Sequence, residues 1–129
     1  VVHKGKRSTA DVSIRGIAKK NAICNVHGVL RVEPEATEVK TELKEQMLLL
    51  SAEATAKAVP ALEILNNNVQ ALHDASVTHL DKEKKFYLES KGLSEGEAEK
   101  MLIDGFLNAV IEKTTEETQR VWAQWSAKR

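Results

Sequence analysis

Residues 1–80 of this 129-residue chain contain no phenylalanine, tyrosine or tryptophan; all five aromatic residues, Phe86, Tyr87, Phe106, Trp122 and Trp125, lie beyond them. Cysteine is almost as scarce. The one thiol, Cys24, has no internal partner, so no disulfide can staple the fold, and a reducing compartment suits the composition. No charge excess of either sign exists: 19 Lys and Arg balance 19 Asp and Glu. A dedicated nucleic-acid binder normally carries a basic surplus, so that class is set aside. Long apolar runs are also missing. Met47-Leu48-Leu49-Leu50 is the longest in the first half, far short of the roughly 18 residues of a membrane span. No charged segment followed by an apolar one opens the chain, which argues against a signal peptide. The start at Val1-Val2-His3, without an initiator methionine, suggests a processed product, a cloned segment or a proteolytic fragment. Glycine-rich phosphate loops, G-x-S-x-G elbows and H-E-x-x-H helices are absent, which removes the commonest motif-borne chemistries.

What is present divides near residue 80. Before it, apolar residues alternate with polar ones over short stretches, as in Val12, Ile14 and Gly16 set between Asp11, Ser13 and Arg15. Val26–Val32, Val39–Leu50, the Leu62–Ile64 pair and the run Val69, Leu72, Val77 continue the pattern. Alternation of period two marks strands with one buried face. Helical stretches that would make a βαβ fold are missing between them, as are two-residue hairpin signals. Apolar clusters near Ile14, Leu30, Leu49 and Ile64 recur at roughly 15 to 20 residues, a spacing compatible with stacked coils of a parallel β-helix. A sandwich of short strands fits the same pattern equally well.

After residue 80 the period becomes helical. Asp81 can cap a helix through Phe86, Tyr87 and Leu88, and Gly92 can end it. Ser94 and Glu97 have capping-box spacing, and Ala98, Met101, Leu102, Gly105, Phe106, Ala109 and Val110 form an apolar stripe behind them. Lys113 is expected near this helix's C-terminus, where its charge suits the helix dipole. Thr114 with Glu117 can open a third helix with Val121, Trp122 and Trp125 on its apolar side; a continuation of the second helix is the alternative. The two tryptophans either close a core or mark a partner surface.

The polar residues with chemical potential are few. Cys24 and His27 have half the spacing of a metal site, but on a strand they face opposite ways and no second pair completes the set. Packing roles are expected for both. His73, Asp74 and His79 form a second group. His73 and His79 share a face by parity, too far apart along one strand for a single ion, so solvated or locally bonded side chains are the expectation.

One ordered series of residues is more specific than any of these motifs. Pro60-Ala61-Leu62-Glu63-Ile64 is followed by Asn67-Asn68-Val69, His73-Asp74-Ala75-Ser76, Leu80-Asp81, Phe86-Tyr87-Leu88, Ser90-Lys91-Gly92-Leu93, Met101-Leu102-Ile103 and Gly105-Phe106. Over about residues 30–112 this order and spacing resembles the C-terminal portion of the SufB/SufD family of iron–sulfur cluster assembly proteins. The resemblance implies a mainly β fold, right-handed parallel β-helix coils over residues 1–80, followed by a small helical segment over 81–129. It also implies a non-enzymatic, cytoplasmic scaffold with two partners, a SufC-type ATPase and a SufB-type paralogue. Such a scaffold handles an iron–sulfur cluster transiently and holds no stable cofactor.

Where the SufB pattern carries a reactive cysteine, six residues before Pro60, this chain has Ala54; where SufD often has a cysteine, it has Ala71. The resemblance therefore points to the SufD side, with His73 matching the family histidine as an iron ligand or interface group. Asp74 stands where SufD commonly has glycine. Phe86, Tyr87, Lys91 and Asp104 fall in the segment expected to dock the ATPase, with Phe86, Met101, Leu102 and Phe106 packed inward beneath it and Lys91 and Asp104 exposed. The alternatives are a SufB-like scaffold that assembles with itself and a small metalloenzyme built on the His and Cys residues. An open first coil bearing Val12, Ile14 and Ile17, preceded by a polar segment from Val1 to Thr9, predicts self-association of the chain through that edge.

Overall fold

The computed structural model describes residues 1–127. It divides into two compact units, Val1–His79 and Leu80–Arg129, each taken here by itself.

The first unit contains eight strands: β1 (Val2–His3), β2 (Thr9–Ala18), β3 (Ile23–Val26), β4 (Val29–Val32), β5 (Val39–Leu49), β6 (Thr55–Ala58), β7 (Ala61–Ile64) and β8 (Val69–His79). They form three sheets, ordered β1-β4-β7, β2-β5-β8 and β3-β6, and every pairing is parallel. No strand pairs with its neighbour in sequence. The chain visits three sheets in turn and adds one strand to each on every circuit, which is the architecture of stacked β-helix coils. Val2 pairs with Arg31, Thr9 with Lys40 and Ile23 with Thr55, so one coil takes about 30 residues. The 15-to-20-residue recurrence of apolar clusters is thus not the coil repeat. Each coil carries several strands, and each strand brings its own cluster.

The central ladder runs without a slip from Thr9 opposite Lys40 to Ala18 opposite Leu49, and from Val39 opposite Val69 to Leu49 opposite His79. In β5 the odd-numbered residues Val39, Thr41, Leu43, Glu45, Met47 and Leu49 are buried, while Lys40, Glu42, Lys44 and Gln46 are not. Period-two alternation thus puts one face of the strand in the interior. One interior cluster consists of Leu30, Val32, Ala36, Val39 and Leu43, with Val12, Ile14, Ile64 and Val69 against it. A second consists of Ala18, Leu49 and Ala54, packed by Cys24 and Ala56. Cys24 is therefore a packing residue, as expected. Aliphatic and small side chains suffice because three sheets enclose a narrow interior.

Corners are polar and stacked. Arg7 and Glu38 both adopt left-handed backbone conformations, with φ of 56° and 59°. The Arg7 N–H donates to the Thr37 carbonyl and the Glu38 N–H to the Asn68 carbonyl, each at 2.8 Å, so one coil's corner is satisfied by the next. Asn66 donates from Nδ2 to the carbonyls of Glu33 and Ala36 and accepts from the Asn68 N–H at 2.8 Å. This explains why Asn66-Asn67-Asn68 interrupts the apolar pattern. The stretch Val26–Val32 is two strands, broken by a corner at His27-Gly28. The polar segment before Thr9 is not loose. It contributes β1, whose His3 is 5% exposed, with Nδ1 2.8 Å from Ser8 Oγ and Nε2 3.1 Å from Thr41 Oγ1.

The second unit contains α1 (Lys82–Ser90), α2 (Glu95–Ile111) and α3 (Glu116–Ser126). The Asp81 carboxylate accepts from the N–H groups of Glu83 and Lys84, and Gly92 (φ 99°) follows the helix end. Ser94 and Glu97 form a reciprocal capping box. Thr115, rather than Thr114, caps α3; Thr114 Oγ1 instead donates back to the Ile111 carbonyl. Helix α2 ends before Lys113 and has no basic residue in its last turn, so the expected dipole contact is not made. Its buried residues are Ala98 and Ile103. Met101, placed on the buried stripe by periodicity, is 52% exposed, and Phe86 is 70% exposed. Leu102 and Phe106 are half-buried. The stripe is rotated relative to the simple repeat because only one side of α2 meets its neighbours.

Two outcomes follow from this packing. Leu30→Ala, at a position 1% exposed, should cost about 2–5 kcal/mol, measured by urea unfolding. In the helical unit, Ser94 hydrogen bonds hold the Glu97 carboxyl below its usual range, and an ion pair with Lys85 does the same for Glu95. A depressed carboxyl stabilises the fold above its unfolded pKa and loses that contribution as pH falls through its folded value. The helical circular dichroism signal should therefore weaken in acid, below about pH 4.3, and Ser94→Ala should reduce it at neutral pH. A helical signal unchanged by acid and by the substitution would contradict the capping assignment.

Candidate functional site

His73 lies on β8, opposite Leu43, which lies opposite Val12. It therefore occupies the face that is interior in β5. Its side chain is nevertheless exposed, as are Asp74 and His79, because β8 is the last strand of its sheet among the described residues. Ala71 and Ala75 are the inward-parity residues on either side of His73 and His79 shares its face, so the exposed imidazole stands between small neighbours. A neutral imidazole in that position can ligate a metal or accept a proton. No three His, Cys, Asp or Glu side chains converge on a metal position among the described residues.

Ala54, where a site thiol would stand in a SufB-type chain, is 2% exposed and part of the second interior cluster. Glu45 is a residue that sequence reasoning missed. Its parity places it inside, between the buried Leu43 and Met47, and it is fully buried. The signal was a carboxylate in step with Val39, Leu43 and Met47 on the inward side of the alternation. His3 was missed as well, because the two-residue β1 has no readable period.

The helical unit offers a surface of a different kind. Phe86 and Tyr87 are 70% and 59% exposed. Lys91 is the C-cap residue of α1, and its Nζ lies 5.2 Å from the Tyr87 ring centroid, a cation–π distance. Lys85 ties α1 to α2 through Glu95 at 2.6 Å; this hydrogen bond raises the lysine's pKa. Asp104 is less open than expected, with a quarter of its side chain exposed, and pairs with Lys100 at 3.7 Å. Leu93, Lys100, Met101, Asp104 and Asn108 line a groove of about 550 Å³. The tryptophans divide their roles. Trp122 donates from Nε1 to Asn108 Oδ1 at 2.8 Å, joining α3 to α2, whereas Trp125, with its ring centroid 5.0 Å from that of Trp122, is half exposed. Aromatic side chains, a cation and an anion on exposed helices can dock a protein partner.

No helix among the described residues is long and apolar enough to cross a membrane.

Comparison with known proteins agrees with this arrangement. The family model described as SUF system FeS cluster assembly, SufBD core domain, matches residues 1–106, so the likeness extends through the first coil. The iron–sulfur cluster assembly protein SufD of Bacillus subtilis is 34% identical over 111 residues, covering 86% of this chain and 25% of that protein. SufB of the same organism is 28% identical, covering 83% of this chain and 23% of its own length. An iron–sulfur cluster assembly SufBD family protein of Staphylococcus haemolyticus is likewise 28% identical over 107 residues, with the same coverage. The chain thus spans about a quarter of the length of these relatives. With a SufBD core match over most of its residues, three parallel sheets and a helical unit after them, this chain belongs to the SufB/SufD family of the SUF iron–sulfur cluster assembly system.

Proposed function

We propose that this chain is the SufD-like scaffold portion of a SUF assembly complex, non-enzymatic in itself and working in the cytoplasm. The observation that carries the SufD side is the combination of His73, exposed on β8, with alanine at position 54. A SufB-type scaffold needs a thiolate there to accept sulfur, and alanine cannot supply one. The higher identity to SufD than to SufB of one organism supports the same assignment.

In this reading the iron–sulfur cluster is cargo. His73 contributes one imidazole nitrogen while a SufB-type paralogue contributes the remaining ligands, and the cluster passes on to an apo-protein without a resident cofactor in this chain. The SufC-type ATPase docks on the helical unit. Phe86 and Tyr87 supply exposed apolar area, and Lys91 and Asp104 supply charge of both signs around it, the usual division between an apolar centre and a polar rim.

Two expected outcomes test this reading. His73→Ala should leave the circular dichroism spectrum and melting temperature unchanged, because the side chain is exposed, while lowering cluster yield in the reconstituted complex by tenfold or more. Equal yields would contradict the role. Lys91→Glu should weaken SufC-type ATPase binding about threefold to tenfold, in the range of a lost rim charge, without unfolding the chain. Asp104→Lys should do so as well, with some loss of helix stability from its Lys100 pair. Calorimetric titration reads both, and unchanged affinity in both would place the interface elsewhere.

A further inference from the structure

Helix α1 ends in a closed backbone turn. The Gly92 N–H donates to the Glu89 carbonyl at 2.9 Å and the Leu93 N–H to the Leu88 carbonyl at 3.4 Å. These are the paired bonds of a Schellman motif, with Gly92 as its left-handed residue at φ 99°. Lys91 is the C-cap inside that turn. Its N–H turns to the Leu88 carbonyl at 3.0 Å, and Ser90 Oγ donates at 2.7 Å to the Tyr87 carbonyl that this leaves over. The backbone carrying Tyr87 and Lys91 is thus fixed.

The side chain of Lys91 is held in a different way from its neighbours. Lys84, Lys85 and Lys100 of α1 and α2 each meet a carboxylate, Asp81 at 3.3 Å, Glu95 at 2.6 Å and Asp104 at 3.7 Å. The Lys91 ammonium instead lies over the Tyr87 ring, one helical turn back, 5.2 Å from its centroid. Both residues are exposed. A ring face holds a cation in place without neutralising it, so this ammonium keeps its charge for a group arriving from outside. An unrestrained lysine gives up much rotamer freedom on docking. One already held loses less, and binding is stronger by the difference.

We propose that Tyr87 is the positioning residue of Lys91, and that the pair receives an acidic side chain of the partner, an aspartate or a glutamate. This rests on the docking surface proposed above for the SufC-type ATPase and names the chemistry that surface recognises.

A double-mutant cycle on ATPase affinity, read by calorimetric titration of the chain, tests the proposal. Tyr87→Leu should weaken binding about threefold, the scale of an exposed cation–π contact. In the Lys91→Met background the same change should have markedly less effect, because the apolar contact of residue 87 is common to both backgrounds and only the held charge differs. Tyr87→Phe, which keeps the ring face, should bind like the wild type. Lys91→Met should also flatten the fall in affinity with rising ionic strength. In the free chain the Lys91 side-chain protons should show upfield NMR shifts from the ring, lost in Tyr87→Leu. Equal effects of Tyr87→Leu in both backgrounds, a salt dependence unchanged by Lys91→Met, or no upfield shift in the wild type would overturn the proposal and leave the docking surface in place. An affinity that neither Lys91→Met nor Tyr87→Leu alters would remove the docking surface itself and the proposal with it.

Discussion

The in-register parallel ladder of β2, β5 and β8 is the constraint on which the first unit depends. Parallel strands with no slip carry side-chain parity from one coil to the next. Once Leu43 faces inward, Val12 and His73 take the same face, and once Glu45 does, Ile14 and Ala75 follow. A single residue of slip would turn Leu43, Glu45 and Met47 out and put Lys44 and Gln46 in. Apolar burial on one face makes that slip costly, and the stacked corner hydrogen bonds from Arg7 to Thr37 and from Glu38 to Asn68 pin it at one end.

That ladder also explains how one strand chemistry serves two roles. In β5 the inward residues are covered and become core. In β8 the same face is open, and His73 and His79 stand where an interior residue would stand one coil earlier. A histidine there retains solvent access on a rigid strand, a better platform for a ligand than a loop. The helical unit is held together differently. Its helices are fixed by caps, the Lys85–Glu95 pair and the Trp122–Asn108 bond, leaving Phe86 and Tyr87 outward. In the proposed reading, cluster chemistry and partner docking thus belong to different elements.

Much of this was readable from local pattern. Alternation located β2 and β5, and Asp81 and the Ser94–Glu97 box located the starts of α1 and α2, because period and caps are short-range signals. The coil repeat was not readable, since pairing partners lie about 30 residues apart and apolar clusters report strands rather than circuits. The ordered residues from Pro60 to Phe106 resolved the choice between β-helix and sandwich that periodicity left open. Phe86 and Met101 were misplaced because a helical stripe states which residues share a side, while the neighbours decide which side is covered. Glu45 escaped notice because a lone charge in an alternating strand reads as an outward residue until the register is known.

The central claim is a scaffold whose helices receive the ATPase while its strands remain rigid. Amide hydrogen exchange on the protein alone and with its cognate SufC-type ATPase tests that division most directly. The account predicts new protection across residues 82–111, centred on Phe86 and Tyr87, with the β2-β5-β8 ladder slow to exchange in both states. Protection confined to the strands, with the helices unchanged by the ATPase, would contradict it.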